Sequence, residues 1–124
     1  MAQKPERKPK IKNILIKVSG DTSNHRKVLA FIKRRAKTNF VVVICGGGSQ
    51  VNKALREAGF TPNFDEHGRM AETWKERKIA RDALEQEQNR LQNQLIGSGA
   101  YVEAPYLEAG PVLCPINGDN LVIA

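Results

Sequence analysis

Three places in this 124-residue chain hold residue types that could do chemistry. The first is the run Gly46-Gly47-Gly48, set between the apolar stretch FVVVIC and the helical pattern SQVNKALREAG. A strand that passes through side-chain-free residues into a helix points backbone N–H groups at one place. The positive end of the helix dipole stands behind them, which is the geometry of an anion site. The spacing in GGGSQVNKA is neither a Walker A loop nor a G-x-G-x-x-G fingerprint, and a tight turn alone would also use glycine. The second is Lys17 in ILIKVSG, where apolar neighbours leave an ammonium two options. It snorkels to water or it meets an anion, because burying it unpaired is costly. Ser19 and Gly20 end that strand beside it. The third is Asp119 in CPINGDNLVIA, after an apolar strand pattern, where an acid serves as a helix N-cap or holds Lys17 in place.

The elements that must position these residues alternate. Ile14, Leu15, Ile16 and Val18 read as a strand buried on both faces, as in a parallel sheet. DTSNHRKVLAFIKRRAKT follows as a helix with Val28, Leu29 and Ile32 on its inner stripe and Ser23 or Asn24 as N-cap. FVVVIC is the second strand, and the helix after the glycines closes at Gly59. FTPNFDEHG reads as a loop, and residues 69–95 as one long helix with a thin stripe of Met70, Trp74, Ala80, Leu84, Leu91 and Leu95. That stripe is expected to pack at a subunit interface against another copy of the chain, with packing on the parent sheet as the rival. PVLCPI is expected as the third buried strand. Strand, helix, strand, helix with short connections gives an α/β fold, and ligands of an open parallel sheet bind beyond the carboxyl ends of its strands.

Composition narrows the classes. Hydrophobic residues make up 40% and charged residues 27%, a globular composition. No run is long enough to span a bilayer and no signal peptide opens the chain, so a cytoplasmic location is expected, with no membrane partner. Cys45 and Cys114 read as reduced core thiols, and His25 and His67 are not spaced to complete a metal site, so no metal site is expected from them. The net charge of +7 comes partly from a Lys/Pro-rich arm over residues 1–10 and partly from HRKVLAFIKRRAK. With only 6% aromatic residues a base-stacking platform is poorly supplied, and nucleic acid is not the expected partner.

Taken together, ILIKVSG and VVVICGGGSQVNKALREAGF resemble the amino acid kinase superfamily, and within it the acetylglutamate kinases. NFDEHGR with AET resembles that family's substrate-binding arginine segment, and PVLCPINGD the strand bearing its organising aspartate. The resemblance implies a three-layer α/β/α fold with a mainly parallel sheet, residues 11–124 forming the acceptor-binding lobe without the nucleotide-binding half. It implies ATP and Mg²⁺ as cofactors and a small acidic metabolite as acceptor, phosphorylated on a carboxylate or phosphate. Lys17 would neutralise the transferring phosphoryl group, and Asp119 would orient Lys17. Gly46, Gly47 and Gly48 would bind acceptor and phosphoryl oxygens through backbone N–H groups, with Ser19 and Gly20 completing the phosphate loop. Arg69 would clamp a second carboxylate, and Asn117 stands near the family's substrate-binding asparagine.

The departures matter too. Cys45 precedes the glycines where acetylglutamate kinases usually carry histidine, and Pro115 stands where they carry the asparagine. The expectation is a phosphotransferase inactive at this length. The alternative is a non-catalytic anion-binding, regulatory or assembly module that keeps the glycine loop and associates through helix 69–95.

Overall fold

The computed structural model describes residues 11–66, 68–109 and 112–116. In chain order the elements are β1 (Asn13–Val18), α1 (Arg26–Ala36), β2 (Phe40–Cys45), α2 (Gly48–Glu57), β3 (Asn63–Asp65), β4 (Gly68–Met70), α3 (Trp74–Gln94), β5 (Tyr101–Glu103), β6 (Tyr106–Ala109) and β7 (Val112–Pro115). β1, β2 and β5 form a parallel sheet in that spatial order, with Lys17 opposite Ile44 and Val43 opposite Val102. The fold is α/β.

Side chains alternate along a strand, so Ile14, Ile16 and Val18 share a face with Val41, Val43, Cys45 and Val102. That face is the core: it is sealed by Ile32, Val28 and Leu29 of α1 and by Leu91 and Leu95 at the end of α3. Both helices therefore lie on one side. The reason is topological. Right-handed crossovers joining strands that are added in one direction place every connecting helix on the same side. A three-layer arrangement needs a reversal of strand order, and the described residues contain none. On the other side Leu15, Phe40 and Tyr101 are about half exposed, so β1 is not buried on both faces as its apolar run suggests: no helix among those described covers that side.

Several expectations from sequence need correction. The third parallel strand is Tyr101–Glu103, whereas Val112–Pro115 pairs antiparallel with Tyr106–Ala109 in a separate hairpin. Leu113 of that hairpin is buried, but Cys114 alternates outward and is exposed, so only Cys45 is a core thiol. The segment read as a loop contains the β3–β4 hairpin, and it takes Arg69 and Met70 out of the expected helix. α3 begins instead at an N-cap Thr73, whose side chain and that of Glu76 bond reciprocally to each other's backbone N–H. Its N-terminal Trp74 is exposed, while Ala80, Leu84 and Leu91, with Leu95 at the C-cap, are buried within the chain. Those four positions pack on the sheet and on α2, the rival of the expected subunit interface, whereas Met70 and Trp74 remain exposed.

The N-cap of α1 is His25, which accepts from Lys27 N, and not Ser23 or Asn24. Those two residues instead accept from the Arg90 guanidinium of α3, Ser23 Oγ at 2.6 Å from Nη2 and Asn24 Oδ1 from Nη1. Arg90 also pairs with Glu87. The turn after β1 is thereby fixed to α3. α2 ends as expected: Gly59 takes φ +87°, Phe60 N–H donates to Leu55 O at 2.9 Å and Gly59 N–H to Arg56 O at 3.0 Å. Among the described residues no helix is long and apolar enough to cross a membrane. The arm over residues 1–10, Asn117, Asp119 and the helix expected after them lie outside the described residues.

Candidate functional site

A cleft of about 280 Å³ opens at the carboxyl ends of β1 and β2, lined by Lys17, Ser19, Gly20, the three glycines Gly46–Gly48 and Arg69. Residues chosen from three separate stretches of sequence thus meet at one place. Parallel pairing sets the first two together: Gly46 N–H donates to Val18 O at 2.8 Å, which carries the β1–β2 ladder one residue past its strands and seats the two turns side by side. The third arrives on the β3–β4 hairpin, where Arg69 lies opposite Phe64 in the register.

The three glycines have different reasons. None of them has a positive φ among the described residues, so conformational freedom does not explain the run. Gly47 is packed: a Cβ there would lie 3.0 Å from Leu84 Cδ2 of α3. Gly46 would meet only ordinary contacts, the nearest 3.5 Å from Val18 O, and Gly48 would meet nothing nearer than Arg69 Nη2 at 3.9 Å. Protein packing therefore accounts for Gly47, while the space at Gly48 is open to the cleft.

Gly47 is the N-cap of α2, and among the described residues no side chain bonds the first N–H groups of that helix; its first turn holds no acidic residue. These donors are the orphans that every helix start leaves. Here they are joined by two cations, Lys17 and Arg69, and no Asp or Glu lines the cleft among the described residues. The guanidinium of Arg69 is held by neutral partners. Nη1 donates to Asn52 Oδ1 at 2.6 Å, Nη2 donates to Gly48 O at 3.1 Å, and the group stacks over the Phe64 ring at 4.6 Å. Burial lowers its pKa from the usual arginine value, which leaves the group charged but short of a counter-charge. Such a cleft suits a ligand with more than one anionic group.

The β1–α1 turn is tied to the glycine loop. Ser49 Oγ donates to Asp21 Oδ2 at 3.1 Å, and Gln50 Nε2 donates to Gly20 O at 3.2 Å. Gln50 Oε1 is buried without a hydrogen-bond partner among the described residues. On the far side Pro105, Pro115 and Ile116 form an apolar wall, fixed by Ile116 N–H donating to Pro105 O at 2.8 Å. Sequence reasoning missed Asn52, Phe64 and this wall. Asn52 stands four residues after Gly48, on the same side of α2, and that spacing was the one available signal.

Comparison of the chain with protein-family models and with curated proteins gives no match.

Proposed function

We propose that this chain supplies the acceptor-binding side of an ATP-dependent phosphotransferase of amino acid kinase type, nearest in its motifs to the acetylglutamate kinases. The observation that supports it is the convergence of Lys17, Ser19, Gly20, Gly46–Gly48 and Arg69 on one cleft with no acidic lining among the described residues. Phosphoryl transfer asks a protein for position and charge stabilisation rather than covalent chemistry, and this donor set is of that kind. In this reading Arg69 clamps one carboxylate of a small acidic metabolite. Backbone N–H groups of Gly47 and Gly48 hold the reacting carboxylate and the phosphoryl oxygens, and Lys17 offsets the charge that builds between them. Asp119 as the group orienting Lys17, and Asn117 as a substrate contact, belong to the reading through the sequence motif alone. So does the three-layer kinase fold, while self-association rests on the apolar stripe of residues 69–95, of which Met70 and Trp74 are exposed.

ATP supplies the phosphoryl group when bound. Mg²⁺ would accompany the nucleotide's phosphates in this reading. The test is a titration of the chain with acetylglutamate, glutarate and inorganic phosphate. It is followed by incubation with ATP, Mg²⁺ and hydroxylamine, which traps an acyl phosphate as a hydroxamate. Binding that prefers the dicarboxylates to phosphate and is lost in Lys17→Ala and Arg69→Ala, without hydroxamate from this chain alone, is the expected result. Binding of phosphate with no preference for the dicarboxylates favours the non-catalytic anion-binding module, and absence of binding overturns both.

A further inference from the structure

The charge of this chain is divided. Residues 1–56 hold 14 of its 20 Lys and Arg against two acids, Glu6 and Asp21, whereas residues 57–124 hold six against eleven. Within the described part the excess concentrates on α1 and its C-cap, where Arg26, Lys27, Lys33, Arg34, Arg35 and Lys37 are all exposed. Among the described residues none of the six pairs with a carboxylate. Arg34 and Arg35 lie over the Phe31 ring at 5.8 and 5.4 Å from its centroid, which orders both guanidinium groups on the surface.

Helix electrostatics does not explain this pattern. Lys33, Arg34 and Arg35 in the last turn complement the helix dipole, but Arg26 and Lys27 sit in the first turn, where cations are disfavoured, and no acid accompanies them. The sequence therefore gives up helix stability to keep the face uniformly positive. We infer that the solvent face of α1 docks on the phosphodiester backbone of a nucleic acid. From Arg26 to Lys37 the helix runs about 16 Å, a length over which a duplex presents about nine phosphates. A membrane surface fits less well: the apolar side of α1, Val28, Leu29 and Ile32, is already packed on the sheet and has nothing to insert into lipid. The scarcity of aromatic residues bears on base stacking, whereas backbone docking needs cations alone. This inference is independent of the cleft and of its proposed chemistry.

The experiment is fluorescence anisotropy with a labelled mixed-sequence oligonucleotide, single-stranded and duplex, titrated with the full chain over a range of salt. The triple variant Lys33→Gln/Arg34→Gln/Arg35→Gln should bind at least about tenfold more weakly at roughly 50 mM salt, with the slope of log affinity against log salt reduced by about 2–3. The double variant Arg26→Gln/Lys27→Gln guards against misfolding as the cause. Removing cations from the first turn should raise its unfolding midpoint while its affinity falls. Unchanged affinity in both variants, no binding by the native chain, or tighter binding to phosphatidylserine vesicles than to either oligonucleotide would overturn the inference.

Discussion

Gly20 and Gly47 approach each other backbone to backbone: a Cβ on Gly20 would lie 2.9 Å from Gly47 Cα and 2.6 Å from Gln50 Oε1. The two turns can lie side by side only because Gly20 carries no side chain, whereas a Cβ on Gly47 would point at Leu84 of α3. Gly20→Ala should therefore cost about 1–3 kcal/mol of stability, the usual range for forcing atoms into a packed site. Gly48→Ala should leave the urea midpoint nearly unchanged, since the nearest atom is 3.9 Å away, but weaken phosphate binding at the cleft. If Gly48→Ala binds phosphate as the native chain does, the open space at Gly48 is not used by an anion.

Arg69 permits a sharper test of ligand shape. Lysine keeps the positive charge but loses the planar fork, the bond to Asn52 and the stacking on Phe64. Arg69→Lys should weaken binding of a dicarboxylate by about tenfold or more, because bidentate geometry is lost. Inorganic phosphate, held in the proposed site mainly by Lys17 and the glycine loop, should respond less. Equal losses for the two ligands in calorimetric titrations would mean that Arg69 contributes charge alone.

The parallel β1–β2 pair, the two following helices and the meeting of Lys17 with the glycines were legible in the sequence because each depends on local pattern. β2 is an unbroken apolar run and β1 nearly one, although only Val18 of β1 is buried, and Gly59 punctuates α2 by its own backbone requirement. What escaped depends on contacts distant in sequence. Tyr101–Glu103 is three residues long and has no alternation to read, so the longer PVLCPI drew the assignment of third strand. Ser23 and Asn24 are good capping residues by type, yet Arg90, 67 and 66 residues away, takes both. The start of α3 was readable, since Thr73 and Glu76 have capping-box spacing, but Arg69 and Met70 continued the apparent helical stripe and hid it.

The glutamines of α3, which read as solvent-facing, have a specific job. Gln92 uses both ends of its amide at the start of β5, Nε2 donating to Ala100 O, just before the strand, at 3.0 Å and Oε1 accepting from Val102 N–H at 2.9 Å, while Gln88 Nε2 donates to Val102 O at 2.8 Å. β5 is the edge of the three-stranded sheet, so these side chains occupy groups that would otherwise be open to another strand. Gln92→Ala should cost about 1–3 kcal/mol, the penalty of leaving part-buried backbone groups unsatisfied. Amide exchange at Val102 should accelerate, and the variant should self-associate more readily. A Val102 amide exchanging at the native rate would show that the edge is protected by other means.

The two thiols should separate cleanly by reactivity and by pH. Cys45 is fully buried at the end of β2 and donates to Gly46 O at 3.4 Å, whereas Cys114 is exposed on β7. Burial raises the Cys45 pKa from its ordinary value of 9.0 to about 11; the nearby Glu87 adds to the rise and Arg90 opposes it. Only the thiolate reacts, so at pH 8 an alkylating reagent should modify Cys114 quickly and Cys45 only as fast as the chain unfolds. The sign of the linkage follows from the raised value. Below pH 9 both folded and unfolded chains keep the thiol protonated, and its contribution to stability is fully present. Between 9 and about 11 the unfolded chain loses its proton first, so stability falls as pH rises. Cys45→Ala should lower the midpoint at neutral pH, through the small void it leaves, yet flatten the decline between pH 9 and 11. Unfolding midpoints of the two proteins that run parallel across that interval would show that Cys45 does not titrate with folding.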